Sequence, residues 1–195
     1  MLLTRRCPAC GAVARGACVG CRAALLGSPR PHASPFPAAV VYEGVARSLV
    51  VALKYGRQSP VANVLAEAVS ALAAEMPPAD VVTWPPSDRG RIAARGIDHA
   101  PLLARCTAAR LGLPARPLLV RRDATVQTGA SRYERLRGPR FAVRRNVRGV
   151  RVLVVDDVVT TGATLLAARA ALLGAGADDA ACVAVAATTP LGSRR

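Results

Sequence analysis

Residues 152–164 read VLVVDDVVTTGAT, and the reading of this stretch decides the fold. Residues 152–155 are apolar throughout, the composition of a strand buried on both faces of a parallel sheet. Asp156 and Asp157 follow, carried into a short hydroxyl-rich turn that opens a helix at Ala163. Thr160, Thr161, Gly162 and Thr164 supply hydroxyls and unobstructed backbone N–H groups at that helix N-terminus. There the partial positive charge of the helix dipole favours a phosphate. Two carboxylates beside such a cradle would repel the phosphate unless they bind another part of the same ligand. Ribose hydroxyls, with or without Mg²⁺, meet that requirement. The plainer alternative is a strand, an acidic turn and a well-capped helix with no ligand, since Asp and Thr are ordinary cap residues.

Working outward, the chain alternates strand and helix patterns. Strands are expected at 38–42, 80–84, 118–121, 141–143 and 181–187. Helices are expected at 44–55 and 61–76, both with apolar residues at helical spacing, and at 100–111 and from 163 to about 173. Such alternation predicts a mostly parallel α/β sheet flanked by helices. Its 195 residues suit one α/β domain of ordinary size plus a small appendage. Apolar residues make up 52% of the chain but only six residues are aromatic, so the core is one of aliphatic helices on a Val-rich sheet.

No charge-free apolar run of about 18 residues occurs, so no membrane span is expected. The opening MLLTRRCPAC lacks an apolar segment of signal-peptide length, and a cytoplasmic location is the expectation. The formal net charge is +15, and 26 of the 27 basic residues are Arg, Lys54 being the single lysine. A GC-rich coding sequence would explain the arginine bias. The positive field nonetheless attracts phosphorylated ligands or nucleic acid. The scarcity of aromatics argues against a stacking platform for single strands.

Four of the six cysteines fall at Cys7, Cys10, Cys18 and Cys21, two C-x2-C pairs separated by seven residues. Each pair bends the chain so that both thiolates face one metal, which predicts a structural, tetrahedral Cys₄ zinc site replacing a core too small to exist there. Two disulfides, or a redox role, are the alternatives, and disulfides fit poorly with a cytoplasmic chain. The expected organisation is a zinc-binding module at 1–26, a Pro-rich linker at 27–37 and the main domain at 38–190. Cys106 and Cys182 read as small buried residues.

Two basic loops remain. Residues 84–96, WPPSDRGRIAARG, follow a strand end, where ligands enter open α/β sheets. Arg89, Arg91 and Arg95 there can hold pyrophosphate oxygens by bidentate hydrogen bonds; a solvated basic loop is the alternative. Residues 122–140 hold Gln127, Thr128, Arg132 and Arg135, and form either a loop that closes over substrate or a plain surface loop. Asp98–His99 is a candidate acid–base pair, although a helix N-terminal turn accounts for Asp98 equally well. Lys54-Tyr55-Gly56 reads as a helix end with a glycine cap.

All thirteen positions of 152–164 resemble the ribose-5-phosphate-binding motif of type I phosphoribosyltransferases: four apolar residues, two acids, two apolar residues, then TTGxT. The order along roughly residues 5–188 resembles the ComF family, the competence protein F homologues and related GntX-type proteins. The matching elements are the Cys₄ knuckle, Lys54-Tyr55-Gly56, the strand leading to Pro85-Pro86, Arg95-Gly96, Thr125 and Gln127 with trailing arginines, and residues 156–164. Departures occur as well. The family's Arg-Gly-Phe/Tyr-Asn-Gln is Arg95-Gly96-Ile97-Asp98-His99 here, the Thr–Gln spacing is shorter, and Gly138 stands where an Asn follows the arginine matched by Arg135. They fall where an acceptor would be read.

The resemblance implies a type I phosphoribosyltransferase-like fold carrying a small zinc-ribbon module. It also implies a glycosyltransferase activity: Mg²⁺-dependent transfer of a phosphoribosyl group between 5-phosphoribosyl pyrophosphate and a nucleobase-like acceptor. Thr160, Thr161, Gly162, Ala163 and Thr164 would hold the 5-phosphate, and Asp156 and Asp157 the ribose hydroxyls. Arg89, Arg95, Gly96, Gln127 and Arg135 would meet pyrophosphate or acceptor, with His99 or Asp157 as acid or base. Alternatively, the ComF resemblance implies a non-catalytic accessory factor for DNA uptake in competence, its zinc module and positive field contacting single-stranded DNA or a helicase partner. Intact paired aspartates favour the enzyme, because a DNA-backbone binder gains nothing from two carboxylates beside its phosphate site. The altered element at 95–99, the lack of a lysine in the 122–140 loop and the zinc module favour the accessory factor.

Overall fold

The protein is described by a computed structural model covering residues 6–32, 34–55, 59–88, 90, 92–93, 96, 98–122 and 139–188. Its elements are α1 (Val19–Leu26), β1 (Ala38–Val41), α2 (Gly44–Tyr55), α3 (Ser59–Ala73), β2 (Val81–Thr83), α4 (Ala100–Leu111), β3 (Leu119–Arg122), β4 (Arg140–Val143), β5 (Arg151–Val159), α5 (Ala163–Gly174) and β6 (Asp179–Ala187).

Apolar residues place each element. In α2, Ala46, Leu49, Val50 and Leu53 recur at three- and four-residue steps and are all buried. In α3, Val61, Leu65, Val69 and Leu72 do the same. Helix α4 starts with a proline in its first turn, where the missing N–H costs nothing. It stops at Gly112, whose left-handed φ of 68° turns the chain and lets its N–H bond Ala108 O.

Strands β1, β6, β5 and β2 form one parallel sheet in that spatial order, with β5 between β6 and β2. Helices α2, α3 and α4 cover one face, packed on Leu153, Val155, Val183 and Val185. Helix α5 and strand β4 cover the other, packed on Val152, Val154, Cys182 and Ala184. The alternation along β5 and β6 is the period of two that a sheet buried on both faces requires.

Three features differ from the sequence-based expectation. Strand β5 does not end before the acids: it continues through Asp156 and Asp157 to Val159, paired to β6 as far as Ala187. Strands β3 and β4 are not part of the main sheet but an antiparallel ribbon beside it. And the second cysteine pair opens a helix, α1, whose Leu25 is fully buried in the same core as α2 and α3. Arg22 on α1 donates to Glu67 of α3 (Nε to Oε2, 2.8 Å), and Arg30 forks onto Glu75 beyond the end of α3.

Candidate functional site

The C-terminal end of β5 delivers the chain into a turn at 160–162, and α5 begins at Ala163. Gly162 caps the helix with φ +77°, a left-handed conformation. Its carbonyl accepts from Leu166 N at 2.8 Å, and Thr161 Oγ1 accepts from Ala163 N at 3.4 Å. An open cavity sits at this point, lined by Asp156 and by residues 158–165. It therefore holds Thr160, Thr161, Gly162, Ala163 and Thr164 together with one carboxylate at a helix N-terminus, in the crevice outside a parallel strand end.

The two adjacent aspartates go to opposite faces of the sheet, as neighbouring residues on a strand must. Asp156, half-buried, lies on the α5 face and lines the cavity. Its Oδ1 accepts from Asp157 N at 2.8 Å. Desolvation, then the like charge of Asp157, pushes its carboxyl up to about 7.

Asp157 lies on the face of Leu153 and Val155, is 7% exposed, and is not part of the cavity lining. Lys54 Nζ from α2 lies 2.9 Å from its Oδ1. His99, which caps α4 and is 4% exposed, donates from Nε2 to its Oδ2. Burial alone would raise the Asp157 carboxyl, but the His99 hydrogen bond and the Lys54 charge outweigh it and hold the group below the usual carboxylate range. His99 Nδ1 is buried with no hydrogen-bond partner among the described residues.

Asp98 does not pair with His99. Its Oδ1 accepts from Ser87 Oγ at 2.9 Å and from Ala100 N at 3.3 Å, the geometry of a helix-start residue. Gly96 is described, with φ +75°. Arg89, Arg91, Arg95, Gln127, Thr128, Arg132 and Arg135 lie outside the described residues. Sequence reasoning read Lys54 as part of a helix end and gave it no role at the site. Its signal was present all the same: it is the single lysine in a chain whose other 26 basic residues are arginine.

Pro35 and Phe36 of the proline-rich stretch lie against the turn. A Cβ at Gly162 would come within 2.9 Å of Pro35 Cγ and 3.1 Å of Phe36 Cδ2. Ser34 Oγ donates to Phe36 O, and Pro37 O accepts from Ala184 N.

At the other end of the chain, the sulfurs of Cys7, Cys10, Cys18 and Cys21 all lie within 4.8 Å of one another. None is in a disulfide. Tetrahedral zinc with bonds of about 2.3 Å sets its sulfurs about 3.8 Å apart, so the four can hold a metal such as zinc. The turns that aim them are local: Gly11 N bonds Cys7 O, and Cys18 caps α1 through its Sγ. Burial opposes ionisation of Cys7, but surrounding backbone N–H groups lower its thiol to about 6. Burial and the neighbouring thiols push Cys21 up to about 12. A cation is what would bring all four to thiolate together.

Residues 102–190, somewhat under half of the chain, match the family model described as phosphoribosyl transferase domain. The α/β fold is phosphoribosyltransferase-like. No curated protein sequence matches the chain. Among solved structures the chain is similar to the glutamine phosphoribosylpyrophosphate amidotransferase from B. subtilis complexed with ADP and GMP. That likeness has 24% identity and a TM-score of 0.48, over 70% of this chain and 30% of that one. It is also similar to a purine phosphoribosyltransferase from Pyrococcus horikoshii, at 20% identity and a TM-score of 0.43, over 67% and 75% of the two chains. An adenine phosphoribosyltransferase from Thermoanaerobacter pseudethanolicus matches at 18% identity and 0.43, over 68% and 83%. The chain spans about a third of the amidotransferase it matches.

Proposed function

We propose that the chain binds 5-phosphoribosyl pyrophosphate, or a related ribose phosphate, in the cavity at the end of β5, and transfers the phosphoribosyl group to or from a nucleobase-like acceptor. The observation that carries this reading is the meeting of Asp156 with the hydroxyls and backbone of residues 160–164 at the N-terminus of α5. A capped helix without a ligand does not need, beside its first turn, a carboxylate that desolvation and the like charge of Asp157 raise to about 7. The family model that matches residues 102–190 supports the same ligand class.

In this reading the turn receives the 5-phosphate and Asp156 the ribose hydroxyls. As the bond from the anomeric carbon to pyrophosphate breaks, positive charge develops on the sugar, and a carboxylate at this position stabilises it. The acceptor nitrogen then bonds that carbon and gives up its proton to the departing pyrophosphate or to solvent. Side-chain donors in the cavity lining are all oxygens, from Asp156 and the threonines, which suits a hard cation carried on the ligand. When bound, Mg²⁺ neutralises the pyrophosphate leaving group. Arg89, Arg95, Gly96, Gln127 and Arg135 are assigned to pyrophosphate or acceptor.

Calorimetric titration with 5-phosphoribosyl pyrophosphate and Mg²⁺, beside the Asp156→Asn/Asp157→Asn double variant, tests the proposal. Micromolar binding lost in the folded double variant supports it, and pyrophosphate release on adding candidate bases establishes turnover. No heat from the folded wild type overturns it. The Cys₄ cluster ahead of this domain and the +15 charge support a finer, ComF-type assignment with a role in DNA uptake. Binding to single-stranded DNA that falls steeply with salt, without 5-phosphoribosyl pyrophosphate binding, would favour the accessory factor.

A further inference from the structure

The cluster on the far side of β5 has no part in the reading above, and its composition is unusual. Three elements distant in sequence converge on one buried carboxylate: α2 through Lys54, the start of α4 through His99, and β5 through Asp157. Both oxygens of Asp157 are engaged, Oδ1 by the ammonium and Oδ2 by the imidazole. A carboxylate so occupied has little to offer a ligand, whereas Asp156, among the described residues, carries only the N–H of its neighbour on Oδ1 and opens on the cavity.

The identity of the cation matters too. In a chain with 26 arginines, the one position holding lysine is the one that must reach a carboxylate in the core. The Lys54 side chain is 18% exposed and that of Asp157 9%. A compact ammonium on a flexible stem fits such a site, and a planar five-donor guanidinium would leave donors unmet.

We propose that Lys54 is a positioning residue of the ribose-phosphate site: with His99 it clamps Asp157 on the α2/α4 face, and so leaves Asp156 alone to meet the ligand. The clamp fixes the strand end from which the phosphate-binding turn departs, since Asp157 lies only three residues before Thr160. The adjacent acids thus divide the work, one touching the ligand and the other anchoring the backbone that presents it. This deepens the proposed function and rests on it.

A double-mutant cycle separates the two, because a residue that acts through another loses its effect once that partner is neutralised. Affinity for 5-phosphoribosyl pyrophosphate with Mg²⁺ is measured for the wild type, Lys54→Met, Asp157→Asn, their combination, and Asp156→Asn alone and combined with Lys54→Met. The expected result is a weakening of tenfold or more for Lys54→Met and for Asp157→Asn, with the combination no weaker than either single variant. The Asp156→Asn loss multiplies with that of Lys54→Met. Absence of binding by the folded wild type removes the ligand reading and this inference with it. Binding by the wild type with independent, multiplying effects of Lys54 and Asp157 overturns the positioning role alone.

Should Lys54→Met fail to fold, the wild type offers a readout without substitution. Labelling the lysine ε-nitrogen with ¹⁵N yields a single signal, from Lys54. A slowly exchanging ammonium whose shift barely moves on ligand saturation supports the clamp. A large displacement, reporting transfer of Lys54 from Asp157 to the ligand, overturns it.

Discussion

Gly162 and Pro35 are in contact across the site: a Cβ on the glycine would lie 2.9 Å from the Cγ and 3.0 Å from the Cβ of the proline. The glycine also sits at φ +77°, where an L side chain is strained regardless of space. Two independent constraints therefore coincide at the N-cap of α5, the left-handed backbone and the close approach of the proline ring. Gly162→Ala is expected to cost about 1–3 kcal/mol of stability and to weaken ligand binding more than tenfold. Chemical denaturation beside calorimetric titration checks both; a variant with wild-type stability would show that neither the positive φ nor Pro35 constrains this position.

Metal removal is expected to reach beyond the cysteine module. Cys21 lies on α1, and Leu25 of the same helix is fully buried among residues of α2 and α3. Loss of the ion frees the knuckles, and with them the anchor of a helix that fills part of the main core. One zinc per chain is expected by elemental analysis of protein purified without chelator. Treatment with a strong chelator, or Cys10→Ser, should lower the melting temperature of the whole chain in a single transition. A separate low-temperature transition would mean the module melts independently.

His99 contributes to the burial of Asp157 in a way that a stability measurement can read. With Nε2 donating to Oδ2, the imidazole supplies one of the two partners that keep this carboxylate ionised in the core. His99→Ala should therefore cost about 1–3 kcal/mol, the usual penalty for a buried acceptor left short. His99→Gln retains an amide donor of similar reach and should recover part of that loss. Equal losses for the two variants would show that packing against α4, not the hydrogen bond, sets the cost.

Much of this was legible from local pattern, and the reason is physical. The helical spacing at 44–55 coincides with α2, because amphipathic periodicity is a property of a short window, and the helix expected at 100–111 coincides with α4. The cysteine spacing brings four sulfurs together because two-residue knuckles are local turns. What escaped is non-local. Nothing in residues 118–143 says that β3 and β4 leave the main sheet for an antiparallel ribbon. Likewise, no local signal joins Lys54 to an aspartate 103 positions away, or draws His99 from its neighbour Asp98 to Asp157. The split of Asp156 from Asp157 was hidden by the expectation that the strand stops at Val155. Once β5 runs to Val159, alternation sends the two side chains to opposite faces.

That split has a consequence for pH. Asp156 is raised from an ordinary 3.8 to about 7 by desolvation and by the charge of Asp157, so the folded protein holds a proton there that the unfolded chain releases. A carboxyl raised on folding contributes stability that is full below its unfolded value and lost as pH rises through its folded value. Between about pH 4 and pH 7 the wild type should therefore lose stability relative to Asp156→Asn, by at most about 1.4 kcal/mol per unit. Asp157 runs the other way: its lowered carboxyl contributes stability above the unfolded value, lost on acidification. Denaturation of wild type, Asp156→Asn and Asp157→Asn at a series of pH values should thus give difference curves of opposite slope, the first falling towards neutrality and the second towards acid. Parallel curves would show that the two carboxylates titrate as one unit, with no division between the faces of the sheet.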